Sequence, residues 1–483
     1  MALRVRISAD GALTTFDGWI ENEARFAAHA MLRAVSAANL VKDRPGFGQR
    51  VVPRPGSVLA SPVLAAYDPD PDYFFHWFRD SAIVIDALRV ALEDGHVDAT
   101  AVARLREFVE FSRSLRKLDG REVILHKRFR EKIEPSFLQY VRPDAEIAAV
   151  VGEAALAEAR VNPDGTLDFT RWARPQNDGA ALEVLALARW RTAKPGLEAT
   201  LQAAMLELAA SDLDFIRTRA HEPSFDIWEE ECGYHYYTQL VQAEALARGA
   251  EWLEETGDAA HVRACRAVAD ELTPSLGAYW SAADGFRRSR MGVIGGGSPQ
   301  KTLDIAVILG VIHAGRAKGA HSVLDPKAQA TLAALEDRFD TEYAINRERP
   351  PGRGPAIGRY PNDAYYGGNP WYLATLAAAE FYFRLAVALT SGAEMATTEE
   401  NARFRGRLSA AGGNGDSPAA AAIERGDTFM RTVQAYTSAS GDLSEQFDRA
   451  TGAQISAKQL AWSSAAFITA AASRRRAWQA IQG

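Results

Sequence analysis

The sequence is poor in cysteine, with only Cys232 and Cys265 in 483 residues. A disulfide framework is excluded, although one bridge between the two stays open, and their spacing fits no zinc pattern. The nine histidines are scattered, without the i, i+4 pairing of a helical metal site. There is no GxGxxG after a strand and no Walker-type loop, so neither a metal nor a cofactor is expected. A basic stripe is missing too. Net charge is −7 with both signs spread along the chain, and no nucleic-acid partner is expected. No apolar run reads as long enough to cross a bilayer. The opening MALRVRISADGALTTFDGW has no apolar h-region. As written the chain reads as cytoplasmic, or as periplasmic or secreted if a signal has been removed. Strand-like alternation is scarce: RVRIS at the start and REVILHKRF at 121–129 read as a hairpin or a sheet edge. The GGG at Gly295–Gly297 has no phosphate-binding context and reads as a turn or mobile loop.

What is there is helix. Apolar residues make up 47% of the chain, enough for a sizeable core. Alanine- and leucine-rich segments with helical periodicity fall near 17–40, 81–94, 99–118, 179–193, 197–219 and 235–255. Six more fall near 258–275, 302–316, 323–339, 367–391, 418–438 and 456–474. The stretch 145–160 is helical by composition and is followed by a VNPDGT turn. No Ser/Thr/Pro linker divides the chain, and AGGNGDS at 411–417 reads as a polar loop. About a dozen helices without a linker argue for a single all-α domain over residues 1–483.

The aromatic and charged clusters lie between these helices, where a rigid scaffold presents its chemistry. PDYFFHWFRDS, residues 71–81, carries Tyr73, Trp77, Arg79 and Asp80; its plainer reading is a helix cap with a salt bridge. FTRWARPQNDG, residues 169–179, repeats the order aromatic, Arg, Asp, helix with Trp172, Arg174 and Asp178. FDIWEEECG, residues 225–233, sets Glu229, Glu230 and Glu231 after Trp228. A carboxylate beside an indole is in a partly apolar setting that favours its proton-donating form. The plainer alternative is a solvated first helical turn, where negative charge suits the dipole. GRYPNDAYYGGNPWYLAT, residues 358–375, offers Arg359, Asp363, Tyr365 and Trp371, and GDLSEQFDRATG leads from Glu445 towards Trp462.

Aromatic platforms with carboxylates and arginine forks suit a carbohydrate pocket. Rings stack on apolar sugar faces, and charged groups bond adjacent hydroxyls in pairs. Cleaving a glycosidic bond takes two carboxyl groups, one to protonate the leaving oxygen and a second acting opposite it. Glu229 or Glu230, together with Glu445, form the leading pair.

In the motifs PDYFFHWFRDS, RPQNDG, DIWEEECG, RYPNDAYYGGNPWYLAT and LSEQFDRATGAQISAKQLAWSSAAF, in that order over residues 55–470, the sequence resembles the glucoamylases of glycoside hydrolase family 15. The resemblance implies an (α/α)6 barrel of six inner and six outer helices with long substrate-binding loops at one end. It also implies an inverting exo-hydrolase of the glucan 1,4-α-glucosidase type, releasing glucose from non-reducing ends of α-glucans. Glu229 would then be the general acid and Glu445 the general base. Arg79, Asp80 and Arg359 would hold the terminal glucose in a subsite shaped by Tyr73, Trp77 and Trp462. Trp172, Arg174, Trp228, Glu230, Asp363, Tyr365 and Trp371 would line the pocket or the next subsite, leaving Glu231 solvated.

The sequence departs from the fungal pattern at four positions expected near the leaving sugar. Cys232 stands where Asn is familiar, Asn177 where Arg is, and His76 and Phe78 replace smaller residues beside Trp77. Linkage preference is therefore open between α-1,4 bonds and α-1,6 bonds or trehalose, and a sugar-binding protein without catalysis is the remaining alternative. Neither a starch-binding module nor an N-terminal β-sandwich is read in the sequence. A monomer acting on soluble oligosaccharides, with glucose as product, is expected.

Overall fold

In the computed structural model the described residues are 6–7, 13–66, 69–125, 129–412 and 417–482. Twelve helices dominate them. They are α1 Phe16–Ala34, α2 Phe78–Glu93, α3 Thr100–Leu115, α4 Gly179–Ala193, α5 Ala199–Arg219 and α6 Tyr236–Leu253, followed by α7 Ala259–Ser275, α8 Ala306–Ala314, α9 Pro326–Glu342, α10 Tyr372–Thr390, α11 Pro418–Tyr436 and α12 Ala461–Gln482. The even-numbered helices pack in a closed ring: α2 on α4, α4 on α6, α6 on α8, α8 on α10, α10 on α12, and α12 back on α2. The odd-numbered helices pack outside it, each against the inner helix that follows or precedes it. This is an (α/α)6 barrel.

Sequence explains the two layers. Inner helices such as α4 and α10 are buried around most of their circumference, whereas α1, α3 and α7 bury one stripe and present charge on the other side. Helix α10 is, among the described residues, long and apolar enough to cross a membrane, contrary to the expectation. Its place in the inner ring accounts for that apolarity.

Strand content among the described residues is confined to short pairs and one three-stranded sheet that tie the loops together. Arg6–Ile7 pairs with Leu13–Thr14, in keeping with the expected opening hairpin, although residues 4, 5 and 8 of RVRIS lie outside the described residues. The expected strand at 121–129 is instead a helix, Gly120–Leu125, with 126–128 outside the described residues. Asp119 accepts the Arg121 N–H at 2.9 Å and so starts a helical turn, while Val123 and Ile124 pack on a small cluster around Phe47 and Ile147. Tertiary packing overrode β-propensity there. The stretch 145–160 is broken by Gly152 (φ 60) into Asp144–Ala148, a 3-10 segment Gly152–Ala157 and a strand Arg160–Val161. Ala402–Ala411 is a further helix that periodicity did not pick out; within the loop after it, 413–416 lie outside the described residues.

Arginines bind the C-terminal carbonyls of the inner ring. Helix α8 has nine residues. Arg384 donates to Ile312 O at 2.7 Å, and Arg189 donates to the His313 and Ala314 carbonyls. These arginines pair with Glu380 and Asp86. The inner helices begin at the opposite end, and there the motif-bearing loops converge.

Candidate active site

The three adjacent glutamates sit in a hairpin turn, not in a helical one. Ser224–Phe225 pairs with Cys232–His235, which also pairs with Arg290–Met291 before the chain enters α6. Asp226 organises the turn: its carbonyl accepts Glu229 N–H at 3.0 Å and its Oδ1 accepts Glu230 N–H at 2.8 Å. This side-chain-to-backbone bonding competes with helix formation. Glu229 has φ 64, a left-handed conformation that a glutamate adopts only where its surroundings impose it.

Each glutamate meets its own partners. Glu229 Oε1 accepts Trp77 Nε1–H at 2.7 Å and an Arg79 N–H at 3.2 Å, and its Oε2 accepts the Trp172 N–H. Glu230 takes Arg359 at 2.7 Å on one oxygen, and Tyr360 OH and Lys301 Nζ, both at 2.6 Å, on the other. Glu231, expected to be solvated, is 10% exposed, pairs with Arg290 and accepts Ser298 N–H at 2.8 Å. The indoles at Glu229 come from Trp77 and Trp172. Trp228, the sequence neighbour, donates to both oxygens of buried Asp304.

Glu445 is buried beside the start of α12. Its Oε1 accepts Tyr73 OH at 3.0 Å, its Oε2 accepts the Ser456 hydroxyl, and Tyr73 in turn meets Tyr365 OH at 2.7 Å. Burial pushes the Glu445 carboxyl up to about 7 against the opposing pull of the Ser456 and Tyr73 hydroxyls. Burial likewise pushes Asp80 up to about 6 and Asp304 to about 7. Tyr73 and Trp77 are in ring contact at 5.1 Å, so two aromatic rings stand between the bonds to Glu445 and to Glu229.

Arg79 pairs with Asp80, Asp178 and Glu229 and lies 5.3 Å over Trp462. This resolves the repeated Arg-then-Asp pattern. Asp80 lies inside the first turn of α2, and Asp178 stands at the cap position of α4 without a capping bond. Both carboxylates serve Arg79. On the other wall Arg359 forks onto Asp363 at 2.6 and 2.7 Å, with Trp228, Tyr365 and Trp371 within 5.5 Å of its guanidinium carbon. The Nε1 atoms of Trp371 and Trp462 and Asp80 Oδ2 are buried without a hydrogen-bond partner.

Arg174 bonds Glu158, Asp168 and the Thr170 carbonyl; it shares Asp168 with Arg160, which stacks 3.6 Å from the Trp172 ring centroid. His76 is buried and neutral, held far below its usual range by desolvation, and its Nδ1 accepts Val58 N–H. It alternates with Trp77 along a two-residue strand and packs on Phe108 and Phe111. The difference at His76 is therefore in the core. Phe78 lies against Gly179, where a Cβ would come within 2.5 Å of it. Both cysteines are free. Asp226, Asp304, Lys301, Tyr360 and Ser456 were not singled out in the sequence. Asp226, Tyr360 and Ser456 stand inside the quoted motifs, whereas Lys301 and Asp304 lie between them and carry no such signal.

Most of these groups stand at or just before the first turns of the inner helices, whose positive dipole ends suit a cluster of carboxylates. Paired carboxyls among indoles and arginine forks at one end of an (α/α)6 barrel define a glycoside-cleaving enzyme. Comparison with known proteins agrees. The profile of glycosyl hydrolases family 15 matches residues 48–472. Glucoamylase P of Amorphotheca resinae is 32% identical over 445 residues, covering 88% of this chain and 65% of that protein. Glucoamylase 1 of Rhizopus oryzae is 25% identical over 480 residues, covering 95% and 71%. The family 15 glucoamylase structure from Hypocrea jecorina superposes with a TM-score of 0.77 at 27% identity, over 95% of this chain and 72% of that one. The chain belongs to glycosyl hydrolases family 15, and it is a glycoside hydrolase of the glucan 1,4-α-glucosidase type.

Proposed function

We propose that the chain is an inverting exo-hydrolase that removes β-D-glucose from the non-reducing ends of α-1,4-linked malto-oligosaccharides. It acts as a monomer, with residues 1–483 as one catalytic unit. The observation that carries the reading is the pair Glu229 and Glu445, in one loop cluster but in different settings and bridged by Trp77 and Tyr73.

Arg79, Asp80 and Arg359 hold the terminal sugar, with Tyr73, Trp77 and Trp462 about its ring. Trp172, Trp228, Glu230, Asp363, Tyr365 and Trp371 border the next position, and Arg174 supports Trp172 through Asp168 and Arg160. Glu229 gives its proton to the glycosidic oxygen as the bond to C1 breaks. Glu445 takes a proton from the water that attacks C1 on the opposite face, so the configuration inverts. Exchange with solvent returns both carboxyls to their starting forms.

One observation favours the reverse assignment. Glu445 keeps its proton up to about pH 7 in the free pocket, which suits a donor. α-Glucosyl fluoride separates the two because fluoride leaves without protonation. Under the proposed roles Glu229→Gln hydrolyses the fluoride but not maltose, and Glu445→Gln hydrolyses neither. The opposite pattern reverses the roles. Glucose release from maltose, isomaltose, panose and trehalose fixes the linkage, and release of α-glucose would refute inversion.

A further inference from the structure

We infer that Glu231 is a positioning residue: with Arg290 it latches the glycine-rich loop 292–299 and so delivers Lys301 to Glu230 on the pocket wall. The inference rests on the reading above, in which Glu230 faces the second sugar.

The loop leaves the strand Arg290–Met291, which pairs Arg290 with His235 and Met291 with Tyr234. Gly292, Gly295 and Gly296 take φ of 57, 80 and 83, turning the chain back through conformations that side chains disfavour. The return passes over the ion pair. Ser298 N–H donates to Glu231 Oε1 at 2.8 Å, and Arg290 donates to the Ser298 carbonyl. A Cβ on Gly297 would come within 2.2 Å of Arg290 Nη1, the far end of a flexible side chain, and 3.0 Å of Glu231 Oε1, so a side chain there would push the Arg290 head off the pair. One 3-10 turn later Lys301, 1% exposed, sets its ammonium on Glu230 Oε2 at 2.6 Å and on Asp226. Ser289 Oγ fixes the Lys301 carbonyl at 2.7 Å. Both Glu231 and Arg290 are about nine-tenths buried. Removing Glu231 therefore takes the paired carboxylate from Arg290, leaving it only Asp226 and Asp304 as acidic neighbours, and frees the Ser298 N–H that holds the loop.

The test uses the full-length chain with maltose as substrate and glucose as inhibitor. Glu231→Ala should raise KM for maltose about five- to tenfold, change kcat less than about threefold and weaken glucose inhibition much less than maltose binding, because Asp363 still holds Arg359 at the terminal position. Lys301→Met should raise KM similarly. The double variant should be no worse than the poorer single one, as expected for residues acting through one another. Gly297→Ala, which displaces the Arg290 head without removing a charge, should reproduce the KM effect and covers the case in which Glu231→Ala fails to fold. Additive effects, an unchanged KM in both Glu231→Ala and Gly297→Ala, or an equal loss of glucose affinity would overturn the inference. If the wild type releases no glucose from maltose, the functional reading fails and the latch is read by limited proteolysis. Cleavage within 292–299 should then be faster in Glu231→Ala, and equal rates would refute the latch.

Discussion

The buried base carries a stability cost that a single substitution should expose. Burial raises the Glu445 carboxyl from its ordinary 4.5 to about 7. Because the folded-state value lies above the unfolded one, folding favours the protonated form. That contribution is complete below about pH 4.5 and is lost as pH rises through about 7. At about 1.36 kcal/mol per pH unit, the ionised carboxylate at pH 8 costs roughly 3 kcal/mol relative to a neutral group of the same shape. Glu445→Gln supplies that group, and the Tyr73 and Ser456 hydroxyls can turn to suit an amide. With an unfolding entropy near 2.1 cal/mol/K per residue, a chain of this length converts about 3 kcal/mol into roughly 3 °C. Melting curves of wild type and Glu445→Gln should therefore coincide near pH 4 and separate by about that much at pH 8, the inactive variant being the more stable. A gap that does not change with pH, or a variant less stable at pH 8, would refute the reasoning.

The remaining expectations concern turnover. Glu229→Gln should lower kcat on maltose by roughly 10²–10⁴, the usual worth of a general acid, while glucose still binds; retained turnover would remove Glu229 from the chemistry. Trp77→Phe deletes the 2.7 Å bond to Glu229 and should lower kcat/KM roughly 10- to 100-fold, the range for a hydrogen bond to a charged group, as measured by initial rates on maltose. With Glu445 as base, the rising limb of the kcat/KM profile should lie near pH 7, since only the ionised form accepts a proton. Tyr73→Phe removes a donor that favours that form and should move the limb to higher pH. A pH–rate profile with its limb near pH 4 in both proteins would contradict the assignment.

The helices were the most legible part of the sequence, because burying one side or all sides of a helix leaves a 3.6-residue pattern. All twelve barrel helices were located, with α12 extending two turns beyond its expected end, where Ala477 is buried and Trp478 packs on the core. The segments that failed, 121–129 and 145–160, are short and shaped by single contacts such as the Asp119 turn and the left-handed Gly152.

The site divides in the same way. By itself the sequence determined the residue types: carboxylates, indoles and arginine forks in ordered motifs ahead of the inner helices, and through them the family. It did not determine which partner each residue takes. Glu229, Glu230 and Glu231 are neighbours in the chain, yet the hairpin sends one to the indoles of Trp77 and Trp172, one to Arg359 and Lys301, and one to Arg290. Those partners lie about 60 to 150 residues away, and only ring closure brings them together. Hydrogen bonds and desolvation act over a few ångströms of space, and sequence spacing beyond one turn or strand does not encode that distance. The buried carboxyl of Glu445 and the latch at Glu231 were therefore decided by the tertiary structure.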